Sequence, residues 1–365
     1  MSTISTCIIV KNEINNIPGL VDDLRKFSDE IIIVDTGSDD GTLEWLQENQ
    51  DDVLKLEHFE WINHFAKARN YSFSKATKDW IFWCDADDRI SETLINDLCN
   101  IKDDLNNMKF NAYYINYDFG NKSIIPRIRL IKRSSKPYWT GACHEYVLPQ
   151  EECISSYDAF DQENSLILHQ RIHGHPERNL PIFINTIIRA ARLEDVSTRD
   201  LFYFANELRD NGFLDKSVEV TKMSILREDM CPFDIWNGIV CNLLSYWIST
   251  AEVAKEGIEY IEKIHDNMGV LRGDVWYALG MLYSVVGDRE KFISCCEKAI
   301  TTDVSKIDKI LDFGENKILS KITPAVDIYM NTDDDKIRKK MKKHLKKYIN
   351  IPGATEVLEQ FDIKI

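Results

Sequence analysis

Along the first quarter of the chain, short runs of β-branched apolar residues alternate with longer stretches whose apolar positions recur every three or four residues. Runs of the first kind fit strands and stretches of the second fit amphipathic helices, so their alternation predicts βαβ units around a mostly parallel sheet. Ile8-Ile9-Val10 predicts a first strand, and Ile31-Ile32-Ile33-Val34 a second that is too uniformly apolar to face water on either side. Residues 14–27 predict a helix with Ile17, Leu20, Val21 and Leu24 on one face. Residues 41–47 predict a second helix, capped by Asp39 or Asp40, and residues 65–76 a third. Residues 80–84 predict a buried strand that ends in acids, and residues 165–168 the last strand. The expected fold is α/β and doubly wound over residues 1–180.

Beyond about residue 185 strand signals vanish and the pattern is helical almost to the end. Trp276, Leu279, Gly280 and Tyr283 reproduce the W-x2-L-G-x2-Y opening of a tetratricopeptide repeat, with Ala299 at the small position of its second helix. Setting Gly212 against Gly287 aligns Phe204-Ala205, Leu208 and Ser217 with an earlier repeat and leaves room for a third, enlarged unit over residues 236–264. Three stacked helical hairpins are about the fewest that bury a shared core. Residues 181–365 are therefore expected to form an all-α helical-repeat domain. Ile337, Met341, Leu345 and Tyr348 fall at helical spacing in a strongly basic segment, which fits a terminal helix closing the stack.

Composition narrows the function classes. A chain of 365 residues with 44% hydrophobic and 29% charged residues has material for two packed cores. Its formal charge of -15 repels a phosphate backbone, so extensive nucleic-acid binding is not expected. The first residues lack a basic, apolar export leader, and no stretch approaches the ~20 apolar residues of a membrane span; a cytoplasmic location is expected. The nine cysteines lack paired spacing, which suggests reduced thiols rather than a disulfide framework.

The most informative chemistry is Asp85-Ala86-Asp87-Asp88, which follows the apolar run Trp80-Ile81-Phe82-Trp83-Cys84. In open α/β sheets ligands bind outside the carboxyl ends of strands, and carboxylates so placed can share a hard divalent cation that also bridges a diphosphate. Asp333-Asp334-Asp335 is an equal acid run in a different setting, before a basic helix, and reads as a helix cap. Val34-Asp35-Thr36-Gly37-Ser38-Asp39-Asp40-Gly41-Thr42 ends a second apolar strand; its later acids fit a turn and a cap, while Asp35 is placed to accept from a base or ribose.

Together these segments resemble the family 2 glycosyltransferases, whose chains show a strand leading into Asn-Glu, here Asn12-Glu13, then a V-D-x-G-S-x-D-G-T turn, here residues 34–42. An A-x-A-R-N helix follows at residues 66–70 and a D-A-D motif at residues 85–87. The resemblance implies a GT-A (Rossmann-like) domain that binds a nucleotide sugar, UDP-glucose or UDP-N-acetylglucosamine foremost, and inverts the anomeric carbon. On that carry-over Asp35 holds the base with Asn12, Glu13 and Ser38 nearby, Arg69 lies by the base and diphosphate, Asp85 contacts ribose or metal water, and Asp87 ligates Mn2+ or Mg2+. Arg127-Ile-Arg129-Leu followed by Gly141-Ala-Cys-His144-Glu145 is similar to a subgroup that also carries helical repeats, the sublancin-type peptide S-glycosyltransferases. Within that resemblance Arg129 joins the donor site, Glu145 is the candidate general base with Asp88 as the alternative, and His144 orients it or meets the acceptor. A late histidine is expected as a further metal ligand, His173 ahead of His169.

The expected partners are a nucleotide sugar and a protein or peptide acceptor, with the repeats as acceptor groove or homodimer interface. Two other readings stay open: transfer to lipopolysaccharide core or another envelope saccharide, and a repeat scaffold carrying a relic catalytic domain. No Q-x-x-R-W acceptor motif of processive synthases is present.

Overall fold

The computed structural model describes residues 1–364 apart from 106–108, 120–123, 153, 157, 162, 171–177, 191, 193–194, 226, 228–229 and 304–315. The chain divides into two compact units, Met1–Ala191 and Arg192–Ile365. The first unit opens with β1 (Ile4–Val10), α1 (Ile17–Arg25), β2 (Glu30–Asp35), α2 (Thr42–Glu48), β3 (Leu54–His58), α3 (Phe65–Lys75) and β4 (Trp80–Trp83). It continues through β5 (Asp88–Ile90), α4 (Glu92–Ile101), β6 (Ala112–Asp118), β7 (Ile124–Lys132), β8 (Tyr138–Thr140), β9 (Tyr146–Leu148), β10 (Ser155–Ser156), β11 (Leu166–His169) and α5 (Asn179–Arg189).

The main sheet has the order β3-β2-β1-β4-β7-β6-β11-β5, with β10 beside β6. Strands β1 to β4 are mutually parallel. Strand β7 runs against both β4 and β6, so β6 shares the direction of β4, and β11 runs parallel to β6. The carboxyl ends of β1, β2, β4, β6 and β11 therefore lie along one edge. The short strand β5 is antiparallel to β11. Both faces of the central strands are covered. Ile31 and Ile33 pack with Leu20, Leu24 and Phe82 on one side, while Ile32 and Val34 pack with Ala66, Phe73 and Trp83 on the other. This two-sided burial is why β2 lacks any polar alternation.

Local differences from the expected elements have simple causes. Helix α1 begins three residues later than the apolar spacing suggests because Pro18 occupies its first turn. Helix α2 has Gly41, not an aspartate, at its cap position; Asp40 still serves the helix start, accepting from the Thr42 backbone N–H at 2.9 Å. Strands β3 and β5 to β10 were not read from sequence, being short or carrying charged residues, as in Leu54-Lys55-Leu56-Glu57-His58.

The second unit is helical throughout its described residues: α6 (Thr198–Asp210), α7 (Leu214–Ser224), α8 (Pro232–Asn237), α9 (Leu244–Trp247), α10 (Ala251–Met268), α11 (Gly273–Val285), α12 (Arg289–Thr301), α13 (Thr323–Met330), α14 (Asp335–Tyr348) and α15 (Ala354–Gln360). Residues Gly238–Leu243 and Ile318–Ile322 form wider π-helical turns. The hairpins α6/α7 and α11/α12 turn at Gly212 and Gly287, whose φ values of 84° and 83° disfavour any side chain. The enlarged middle unit is the segment α8 to α10. Trp236, Trp247, Leu282, Cys296 and Ala299 share one buried core with Met341 and Leu345 of α14. Asp334 caps α14, accepting from the Lys336 N–H at 2.8 Å, as its acid run suggested. Among the described residues no helix is long and apolar enough to cross a membrane.

Helix α10 touches its neighbours through Gly257, where an added Cβ would meet the Trp247 ring at 2.7 Å and Leu282 at 2.8 Å. Alanine would gain ~1 kcal/mol of helix propensity but force a fully buried indole aside. Gly257→Ala is expected to lower stability by about 1–2 kcal/mol net, seen as a lower urea midpoint at unchanged slope.

Candidate functional site

Strand polarity assembles the site. Asn12 and Glu13 follow β1, Asp35 ends β2, Asp85 and Asp87 follow β4, Tyr117 nears the end of β6, and His169 ends β11. All reach the same carboxyl edge of the sheet, where open α/β sheets bind ligands.

The acidic turn is tightly organised. The Asp85 backbone N–H donates to Asp88 Oδ2 at 2.8 Å, and the Asp88 N–H closes the turn on the Asp85 carbonyl at 3.1 Å. Asp88 is fully buried, and its other oxygen accepts from the Tyr117 hydroxyl at 2.8 Å. That burial corrects the alternative reading of Asp88 as a base: both its oxygens are committed inside the protein and none is open to an acceptor. His169 Nδ1 lies 2.6 Å from the Tyr117 hydroxyl, 3.3 Å from Asp88 and 3.6 Å from Asp87. The β5/β11 register sets this meeting, since His169 pairs directly with Asp88.

Two guanidiniums counter the acids. Arg129 is fully buried, with its guanidinium 3.7 Å from the Trp83 ring and 4.5 Å from that of Tyr117. It faces Asp85 at 3.9 Å and Asp88 at 3.8 Å, while its Nε and Nη2 make no hydrogen bond among the described residues. Arg69 projects from α3, where helix position alone would suggest an exposed residue, yet it is buried. It lies about equally far from the Trp83 and Trp139 rings, at 5.1 and 4.8 Å. Its Nη2 donates to Asp85 at 2.5 Å and its Nε to Glu145 Oε1 at 2.7 Å. Burial opposes ionisation of Asp85, but the charges of Arg69 and Arg129 outweigh it and hold that carboxyl below the usual range. Asp87 behaves oppositely: burial, then the charges of Asp85, Asp88 and Glu13, push it up to about 6 despite His169. Hydrogen bonding to Asp88 raises the His169 imidazole, against burial.

Oxygen ligands of Asp87 and Asp88 and a nitrogen of His169 all lie within 4.8 Å of one another. A divalent cation fits this donor set, because its charge would offset the burial and the neighbouring acids that push Asp87 up. Asp87 and His169 are the residues with ligand atoms to spare. His173, the preferred histidine on sequence grounds, lies outside the described residues.

At the β2 end, Asp35 Oδ1 accepts from the Gly37 and Ser38 N–H groups at 2.9 and 3.2 Å, whereas its buried Oδ2 has no hydrogen-bond partner among the described residues. Asn12, at φ 59°, takes its N–H to Ser38 Oγ and its side chain to Asp39, joining the two strand ends. Glu13 Oε2 accepts from Asn16 at 2.7 Å. Glu145 keeps Oε2 beyond its Arg69 contact, and His144 is exposed, its ring parallel to that of Phe183 with centroids 6.1 Å apart. Sequence reasoning missed Tyr117, Trp83 and Trp139; the signal it held was the clustering of aromatics next to buried-strand arginines.

A mixed sheet that carries acids at the carboxyl edge of its parallel strands is the build of a GT-A-like domain. Residues 5–147 match the family Glycosyl transferase family 2, so the first unit carries a domain of that family. Over 90 residues, 25% of this chain, the sequence is 37% identical to a TPR repeat-containing protein of Synechococcus elongatus, covering 22% of it. Over 229 residues it is 25% identical to the SPbeta prophage-derived glycosyltransferase SunS of Bacillus subtilis, covering 61% of this chain and 53% of that one. The crystal structure of S. aureus TarS 1-349 in complex with UDP aligns with 81% of this chain and 90% of its own, at 14% identity and a TM-score of 0.38. The chain spans about half or less of the length of these two curated relatives.

Because Asp87 ionises near pH 6 in the folded protein but near 3.8 ordinarily, folding costs stability that grows as pH rises from about 4 to 6 and is complete above it. Asp87→Asn should therefore stabilise the metal-free protein by about 1–2 kcal/mol at pH 7.5, allowing for partial exposure, and by almost nothing near pH 4. Urea unfolding in EDTA at both pH values checks this; an equal gain at both would contradict it.

Proposed function

We propose that this protein is an inverting, metal-dependent glycosyltransferase that moves a sugar from a UDP-linked donor to a protein or peptide side chain. The observation that carries the reading is the cluster of Asp87, Asp88 and His169 at the carboxyl edge of the sheet whose first strands lie within the family 2 match. The unpartnered Oδ2 of Asp35 supports a nucleotide there: a buried acceptor without a donor costs free energy until a base N–H or ribose hydroxyl meets it. UDP-glucose and UDP-N-acetylglucosamine are the donors to try first.

Asp87 and His169 would hold Mn2+ or Mg2+, whose charge would offset that of the departing diphosphate; His173 is a further candidate ligand. Asp85 is kept ionised by the two arginines, so it can accept from ribose or metal-bound water. Arg69 aligns Glu145 through Oε1 and leaves Oε2 to take the acceptor proton. As that proton leaves, the acceptor atom forms a bond to the anomeric carbon and the bond to the nucleoside diphosphate breaks on the opposite face. His144, exposed next to Glu145, is placed to meet the acceptor. The helical hairpins of residues 192–365 supply the extended surface that stacked repeats use for polypeptides, or pair two copies of the chain. The similarity to SunS, a glycosyltransferase, supports transfer as the activity, and a cytoplasmic location is part of the proposal.

With Mn2+ the protein should release UDP from one of these donors, and EDTA or Asp87→Ala should abolish release. Glu145→Gln keeps a hydrogen bond to Arg69 but removes the base, so transfer should fall about 10²- to 10⁴-fold at nearly unchanged UDP affinity. A variant that transferred normally to hydroxyl acceptors at neutral pH would remove Glu145 from the role.

A further inference from the structure

Strands β8 and β9 form a two-stranded sheet of their own, apart from the main sheet, and the turn between them carries His144 and Glu145. The inner face of this hairpin, Trp139 and Val147, is buried with Ala66, Phe73 and Trp83. Apolar burial holds such a hairpin down without fixing where it lies, because it has no preferred direction. Helix α3 supplies the direction. The Phe65 N–H donates to the Ala142 carbonyl at 2.8 Å, and Arg69 Nε donates to Glu145 Oε1 at 2.7 Å. Asn70 grips the hairpin at a third place: its Nδ2 donates to the Trp139 carbonyl and its Oδ1 accepts from the Trp139 N–H, both at 2.9 Å. A carboxamide offers a donor and an acceptor side by side, so it closes both backbone groups of one strand residue as a neighbouring strand would. The residue clamped in this way is the one whose indole lies 4.8 Å from the Arg69 guanidinium. Next to Glu145, His144 has φ 51°, a left-handed conformation that a non-glycine residue enters at a cost and keeps when its flanks are fixed.

The geometry points to Asn70 as a positioning residue: by clamping Trp139 it sets the β8/β9 hairpin on α3, so that Glu145 and Arg69 meet across two elements that no strand ladder joins. Its part in transfer rests on the proposed function, in which Glu145 is the base, whereas the clamp is a property of the protein alone. Aspartate at this position keeps an acceptor for the Trp139 N–H but sets an oxygen against the Trp139 carbonyl, and the two repel. Glutamine keeps the amide and adds no charge, but its arm is one methylene too long to meet both groups from the same backbone position. Either change lets the hairpin shift, and a base displaced by about 1 Å costs on the order of 10²-fold in rate.

Full-length protein labelled with ¹⁵N-arginine reports the Arg69 Nε–H by ¹H–¹⁵N correlation, with Arg69→Lys assigning the signal. The expected result is slow exchange of this hydrogen with water in the wild type and fast exchange in Asn70→Asp and Asn70→Gln. With UDP-glucose or UDP-N-acetylglucosamine as donor and a serine-bearing peptide as the hydroxyl acceptor, kcat should fall roughly 10- to 100-fold in both variants, while UDP affinity changes less than about threefold. In a Glu145→Gln background the same substitutions should cost less than about threefold further, because a residue that acts through Glu145 has nothing left to act on. Losses that multiply in the double variants would overturn the assignment. So would a folded variant that kept slow exchange. A wild-type Nε–H that exchanged freely would overturn it even if both variants failed to fold. Slow exchange lost in the variants, with no protein moving sugar to the peptide, would uphold the clamp and remove that transfer instead.

Discussion

Three carboxylates within four residues at the end of one strand cannot all be charged in a half-buried turn unless something opposes them, and the first unit is arranged around that repulsion. Arg129 and Arg69 neutralise the inner side, and each guanidinium is held against an aromatic face rather than in water. Asp85 is thereby kept ionised and Asp88 is locked by hydrogen bonds, which leaves Asp87 with His169, at 3.6 Å, rather than an arginine to oppose its charge. A site balanced except at one outward carboxylate has an electrostatic place ready for a cation. Structural ion pairs would instead have cancelled the charge completely.

What the sequence made legible follows from which signals are local. Strands β1, β2 and β4 hold the apolar runs Ile8-Ile9-Val10, Ile31-Ile32-Ile33-Val34 and Trp80-Ile81-Phe82-Trp83 because both faces of the sheet are covered, and such runs survive in a one-dimensional reading. Arg69 and Asp85 could be named from their motif, but not their 2.5 Å contact, because 16 residues separate them and only the fold of α3 against β4 brings them together. Glu145 was named as a base with no hint that Arg69 would take one of its oxygens. Asp88 could be read from sequence as an alternative base, and its burial and its hydrogen bonds to Tyr117 and the Asp85 N–H had no local signal. Tyr117 had no motif to mark it; its contacts exist only through the pairing of β6 with β11 and of β11 with β5.

In the helical unit, the repeat pattern was readable where small residues permit close approach. Gly257 lets α10 lie directly on Trp247, and Gly280 brings α11 within reach of Cys295 and Phe292 of α12. The π-helical turns at Gly238–Leu243 and Ile318–Ile322 had no such signature, since widening a turn by one residue changes the phase of the apolar pattern without changing its composition.

Strand β5 is three residues long, and through β11 it sets Asp88 opposite His169. Side chains alternate faces along a strand, so a slip of one residue would bring Leu168 to Asp88 and turn the imidazole to the far face of the sheet. So short a ladder has few hydrogen bonds of its own to prefer one alignment. The preference has to come from the buried contacts that reward it, Asp88 with Tyr117 and Tyr117 with His169. His169, proposed to serve the metal, would thus also proofread the pairing of the strand that carries it, and a chain misaligned there would be both misfolded at its edge and chemically inert.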